Sequence, residues 1–234
     1  MIREEFVKRN PLRILEKSIH GGLQKGDLAV IASPKGYGKT ACLVYIATVN
    51  LVQGKHVIHV SFSSRTDHII SWYEDIFGEI AKKRNLENAM EIHNEIIRSR
   101  VIMNFNQDGL VPGQLARSLR SMIKDGNFAA DLIIVDGYNL SKGNIENFKN
   151  LKDLAAEMGL CIWFSASTQE KVPLAPGAVP EELTPYMDYV DILITLADKK
   201  DYIALQLVKD HGASAQEDLH VRLDPRTLLT AAEE

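Results

Sequence analysis

The sequence predicts an α/β fold with a mainly parallel central sheet, helices on both faces and an antiparallel hairpin at its C-terminal end. Three observations carry this expectation. Apolar runs of strand length alternate with helical patterns along most of the chain, the signature of parallel strands joined by crossover helices. The last two strand-like runs follow each other closely, and a short connection suits an antiparallel pair appended at a sheet edge. The 234 residues are 45% apolar and 25% charged, enough to bury a continuous core without disulfide or metal staples.

The elements follow in order. An apolar run at 28–32 is the first strand, and the helical pattern at 40–52 follows it after a glycine-bearing turn. A second strand is expected over 56–62, then a long amphipathic helix over 67–83. Strand 101–104, helix 113–123 and strand 131–136 come next, the last with the continuous Leu132-Ile133-Ile134-Val135 core of a buried parallel strand. Helix 145–157, strand 160–165 and strand 191–196 continue the alternation, and 203–209 with 219–223 form the antiparallel pair. Between the fifth and sixth strands the interval 169–185 is rich in proline and long for a connection. Pro173, Pro176 and Pro180 each lack a backbone donor, so its start is not a regular helix, whereas Glu181 and Glu182 suit the positive end of a short helix after Pro180. The domain is expected to span 20–234, with residues 1–19 as an extension packing on or near it.

Composition narrows the function. A formal charge of −4 argues against a surface built for indiscriminate adhesion to nucleic acid. No apolar run reaches membrane-spanning length and the N-terminus has charges of both signs, so the expectation is a cytoplasmic protein with no membrane partner. Cys42 and Cys161 sit among apolar neighbours and read as small core residues. The seven histidines lack metal-ligand spacing, and His56 and His59, three apart on a strand, face opposite sides.

The segment Ser33-Pro34-Lys35-Gly36-Tyr37-Gly38-Lys39-Thr40-Ala41 carries the chemistry. It follows a strand and opens a helix, the context in which a G-x-x-x-x-G-K-[ST] loop binds nucleotide phosphates. Such a site needs backbone N–H groups that close around phosphate oxygens, a lysine that reaches the terminal phosphates and a hydroxyl for magnesium. Gly36, Gly38, Lys39 and Thr40 supply these, while Ser33 stands where the first glycine is usual. Magnesium also calls for an oxygen ligand or ordered water opposite the hydroxyl, and Asp136, emerging at the end of its strand, is the candidate. Lys39 and Asp136 are the expected catalytic pair, Thr40 and Asp136 the expected metal pair, and 34–41 the nucleotide contact.

These motifs, in this order, resemble a RecA-like ATPase core, nearest to the motor domain of DnaB-type replicative helicases and KaiC-like proteins. The resemblance covers about 20–223. It rests on Gly21-Gly22-Leu23-Gln24-Lys25-Gly26-Asp27-Leu28, the phosphate loop, Val60-Ser61-Phe62-Ser63-Ser64 and Asp131 through Leu140. It implies a three-layer sandwich, ATP and magnesium as cofactors, a nucleotide site at a subunit interface and hence a homo-oligomer, hexamer or filament. It also links the chain to DNA replication, recombination or repair.

Three departures weaken the catalytic half of that pattern. The family's water-polarising glutamate aligns with Ser63, which cannot act unaided as a general base. At the position of the γ-phosphate-sensing glutamine, either Ser167 stands in its place or Gln169 reaches back from two residues beyond. In the hairpin that presents a lysine and an arginine finger to a neighbouring subunit, Lys209 is retained but His211 replaces the arginine. An imidazole cannot form the bidentate fork, and His211 reads equally as a turn residue before Gly212. Nucleic-acid contact is expected to be weak, because 169–185 carries Lys171 against Glu170, Glu181 and Glu182. Two function classes follow: an ATP-binding protein with slow hydrolysis, or a non-hydrolysing scaffold in which nucleotide orders a surface for a protein partner.

Overall fold

A computed structural model describes residues 19, 22–63, 67–169 and 177–224. The extension expected over 1–19 falls outside them except for Ile19, as do Ser64, Arg65 and residues 170–176 of the proline-rich interval.

The order of elements is β1 (Leu28–Pro34), α1 (Lys39–Val52), β2 (Val57–Ser61), α2 (Asp67–Arg84), α3 (Ala89–Arg98), β3 (Arg100–Asn104), α4 (Gln114–Lys124), β4 (Leu132–Asp136), α5 (Ile145–Met158), β5 (Cys161–Thr168), a 3-10 helix (Glu181–Tyr189), β6 (Ile192–Asp198), β7 (Ile203–Asp210) and β8 (Ala213–Leu223). The strands form one eight-stranded sheet in the order β3-β2-β4-β5-β1-β6-β7-β8. Strands β1 to β6 pair in parallel, and β6-β7 and β7-β8 are antiparallel. The expected α/β class and C-terminal hairpin are therefore present.

Helices cover both faces because each central strand is apolar on both sides. Ala29, Ile31, Ile134 and Trp163 pack with α1, α2 and α3 on one face, whereas Leu28, Val30, Val135, Ile162 and Phe164 pack with α4 and α5 on the other. Helix α1 is buried nearly all round, since it lies on the sheet and beneath α2 and α3. A helix in that position has no solvent face to mark with charge, which explains its run of apolar residues. Helix α5 is delimited locally: Asn144 accepts a hydrogen bond from the Glu146 amide at its start, and Gly159 ends it at φ +64.

Several readings differ from the structure. Helix α3 was not foreseen, and β8 begins six residues before the expected 219. The short helix expected after Pro180 is present as a 3-10 helix that contains Pro185. Cys42 is buried as expected, but Cys161 at the start of β5 is only half-buried, with its sulfur 3.1 Å from the Gln24 carbonyl oxygen. Among the described residues, no helix is long and apolar enough to cross a membrane.

Candidate phosphate-binding site

The six parallel strands all point their C-terminal ends to one sheet edge, where ligand sites of open α/β sheets lie. Strand β1 reaches that edge at Pro34, and Lys35 to Gly38 turn the chain into α1. The turn requires left-handed backbone at Gly36 (φ +91) and at Gly38 (φ +83), which is the residue preceding the helix. No atom lies near the position a Cβ would take at Gly36, so the demand for glycine there is conformational and not steric. Gly38 offers no capping side chain, and the first-turn N–H groups of a helix have no partner within it, so this end of α1 is suited to an anion.

Lys39 is almost wholly buried and holds the turn from beneath. Its ammonium donates to the carbonyls of Ser33 and Pro34, both at 2.8 Å, and lies 3.3 Å from Ser33 Oγ. Three donors thus meet three oxygens. Burial pushes its pKa down to about 8, with the Asp136 carboxylate pulling the other way. The serine that departs from the usual glycine is therefore an internal partner of the lysine: Ser33 belongs to β1, is 1% exposed, and directs its oxygen to Nζ.

Thr40 donates its hydroxyl to Asp136 Oδ2 at 2.9 Å, joining the start of α1 to the end of β4. The expected metal pair is thus brought together. Asp136 is 6% exposed and stands beside Ser61 in the β2-β4 register. The chain leaves β4 through Gly137, φ +81, whose N–H donates to Ser165 Oγ on β5 at 2.9 Å. Below, Phe148 stacks on Phe164 at 4.5 Å. Tyr138 packs on both rings, and its hydroxyl accepts from Asn144 N and Asn147 Nδ2. This aromatic block fixes the segment that follows Asp136.

The candidates of the catalytic half divide between the two ends of the sheet, with Ser63 and Ser167 at the end that holds Asp136 and Ser33. Ser63 follows β2 and uses its backbone: its N–H donates to Ser61 Oγ and its carbonyl accepts from Asn104 Nδ2. Gln169 has its side-chain amide 3.4 Å from Ser141 Oγ and its backbone N–H on Glu182 Oε1 at 2.6 Å. Ser167, the alternative for that position, stands opposite Ser33 in the β1-β5 register. Lys209 and His211 lie at the other end of the sheet from Lys39, because Asp210 pairs with Ile192, and Ile192 pairs with Ala29 near the start of β1. The length of β1, about 20 Å at 3.3 Å per residue, separates the two ends.

Sequence reading missed one buried cluster on the α1 face. His59 is fully buried in β2 and contacts the Tyr73 hydroxyl through Nδ1 at 3.0 Å, while the Arg100 guanidinium sits 4.1 Å above the Tyr73 ring. Burial lowers the His59 pKa to about 4, so the imidazole is neutral. Only a histidine in an otherwise apolar strand signals it in the sequence. A cleft of ≈ 960 Å³ opens elsewhere, between the segment after β4 and the 3-10 helix, lined by Ser141, Lys142, Gln169, Glu182 and Tyr186. No residue of the 33–41 turn lines it, so the site is defined by the convergence of Lys39, Thr40 and Asp136 and not by cavity size.

Comparison with protein-family models and with curated proteins finds no match for the chain.

Proposed function

We propose that the chain is a RecA-like nucleotide-binding protein that holds ATP with magnesium on the turn at 33–40 and hydrolyses it slowly. The observation that carries this reading is the meeting of Lys39, Thr40 and Asp136 at the C-terminal edge of a parallel sheet. Two of them are joined across 96 positions of sequence by a 2.9 Å hydrogen bond. The backbone of Gly36 to Ala41 would cradle the phosphates. Lys39 would exchange its carbonyl partners for phosphate oxygens, and Pro34, Lys35 and Tyr37 would border the bound group.

Magnesium fits the residues present. A hydroxyl and a carboxylate are hard oxygen donors, and this ion binds through one or two protein oxygens while keeping several waters. When bound, it would neutralise charge on the terminal phosphates. Thr40 and Asp136 are the residues that would hold it.

Slow turnover is supported by the state of the three groups that would complete the catalysis. Ser63 is no base, Gln169 is engaged with Ser141, and His211, at the opposite end of the sheet from Lys39, is engaged with two carboxylates of its own chain. The same engagements favour a second reading, in which nucleotide occupancy orders a surface for a protein partner without turnover. Assembly into a hexamer or filament and a link to DNA replication, recombination or repair rest on the RecA-like resemblance. Direct contact with nucleic acid is weak in this reading, since Glu181 and Glu182 occupy the 3-10 helix after β5. The test is calorimetric titration of the full chain with ATP and magnesium, then of Lys39→Ala, with phosphate release measured in parallel. Saturable binding that is lost in the variant supports the proposal, and the phosphate release separates the two readings.

A further inference from the structure

The turn between β7 and β8 is built from His211 and Gly212, both left-handed at φ +51 and φ +118. A non-glycine residue in that conformation costs about 1 kcal/mol, so contacts of the side chain must favour it. His211 has such contacts on both ring nitrogens. Nε2 lies 2.9 Å from Asp27 Oδ2, and Nδ1 lies 2.5 Å from Asp210 Oδ1. Both carboxylates are buried, at 7% and 6% exposure.

The chemistry of this arrangement is restrictive. An ionised carboxylate only accepts hydrogen bonds, so a ring with a carboxylate oxygen on each nitrogen must donate from both. That ring is the imidazolium. Asp27 also accepts from the Gln24 amide at 2.6 Å, and Asp191 at the start of β6 offers its carbonyl to the His211 N–H at 2.8 Å. The Asp191 carboxylate accepts from Leu28 N at 2.7 Å and pairs with Lys152 of α5, which also donates to the Gly26 carbonyl at 2.8 Å. Lys152 is thus committed to Asp191, and the His211 ring lies between Asp27 and Asp210.

We propose that His211 is a pH-sensitive clamp, which as an imidazolium ties the β7-β8 turn to the residues that open β1 and on losing its proton releases that turn. The released proton goes to solvent and leaves two buried carboxylates facing a neutral ring that can donate to only one of them. Hydrogen bonding to Asp27 is the largest influence and raises the His211 pKa above its ordinary 6.5; burial, next in size, opposes it, and hydrogen bonding to Asp210 adds to the rise. A raised pKa fixes the sign: the clamp's stabilisation is complete below the unfolded value and disappears as pH rises through the folded one. The inference is independent of nucleotide.

The test is side-chain nitrogen NMR of the full-length, isotope-labelled chain, with a pH titration of each assigned histidine. His211 should titrate above 6.5 with both ring nitrogens protonated at neutral pH. In Asp27→Asn its midpoint should fall. Hydrogen exchange read at the His211 amide should lose protection by about tenfold or more across the same midpoint, beyond the intrinsic pH effect. A wild-type midpoint at or below 6.5, a midpoint unmoved by Asp27→Asn, or constant protection would each overturn the clamp. The wild-type titration stands even if the variant fails to fold.

Discussion

Thr40 and Asp136, 96 residues apart, meet through a 2.9 Å hydrogen bond at the C-terminal edge of the parallel sheet. One residue opens the helix after the glycine-bearing turn and the other ends an apolar strand two positions away in the sheet, so only the fold brings them together. Removing the hydroxyl in Thr40→Ala should leave the fold intact and weaken magnesium-dependent ATP binding by roughly tenfold or more, the usual scale for a hydrogen bond to a charged group. Binding without magnesium should change little. Titrations with the metal and with a chelator check this, and equal losses in both would remove Thr40 from the metal pair.

Lys39 predicts a pH dependence of stability. Its folded pKa is lowered from 10.5 to about 8, so between these values the unfolded chain binds more protons and stability rises with pH. Lys39→Met removes the buried charge and should be the more stable protein at pH 7, by about 1–3 kcal/mol before subtraction of the lost carbonyl contacts. Denaturant unfolding of both proteins at several pH values should show the wild type gaining on the variant as pH rises from about 8 to 10.5. A constant difference would mean that the ammonium is better solvated than the geometry indicates.

Gly36 separates sterics from backbone. Open space surrounds the site of a Cβ, yet φ is +91, so Gly36→Ala should cost about 1 kcal/mol through conformation alone. Thermal unfolding checks the stability, and nucleotide titration should show a larger proportional loss than the stability change, because the cradle is reshaped.

Much of this was legible in the sequence, and the gaps have physical causes. Buried parallel strands such as 132–136 are apolar throughout and announce themselves. Strand β1 runs on to Ser33 and Pro34 because these pair with Ser167 and Thr168, a polar stretch that no hydrophobic pattern marks. Strand β8 starts early for a related reason: residues 213–218 lie on the edge strand of the sheet, where pairing with β7 extends it. Helix α3 fully buries only Ile96, so its apolar stripe is thin. Lys39, Thr40 and Asp136 could be read from local motifs, whereas the Ser33 contact with Lys39, the Gln169 contact with Ser141 and the His211 bridge are tertiary facts. The hydroxyl of Ser33, which looks like a defect in the motif, turns out to serve the lysine.

Ser63→Glu offers a gain-of-function test of slow hydrolysis. It restores a carboxylate where the resemblance expects a water-polarising glutamate, and a positioned general base typically contributes about 10²–10⁴-fold. With no arginine at position 211, the gain should fall toward the lower end of that range. Phosphate release per chain under saturating ATP and magnesium measures it. An unchanged rate would place the limit elsewhere than at the base.

The most direct measurement of the central claim is calorimetric titration of the full chain with ATP and magnesium. The account predicts saturable binding with one nucleotide per chain, abolished in Lys39→Ala while that variant stays folded. Undetectable binding to the wild type at millimolar nucleotide, or equal binding to both proteins, would contradict it.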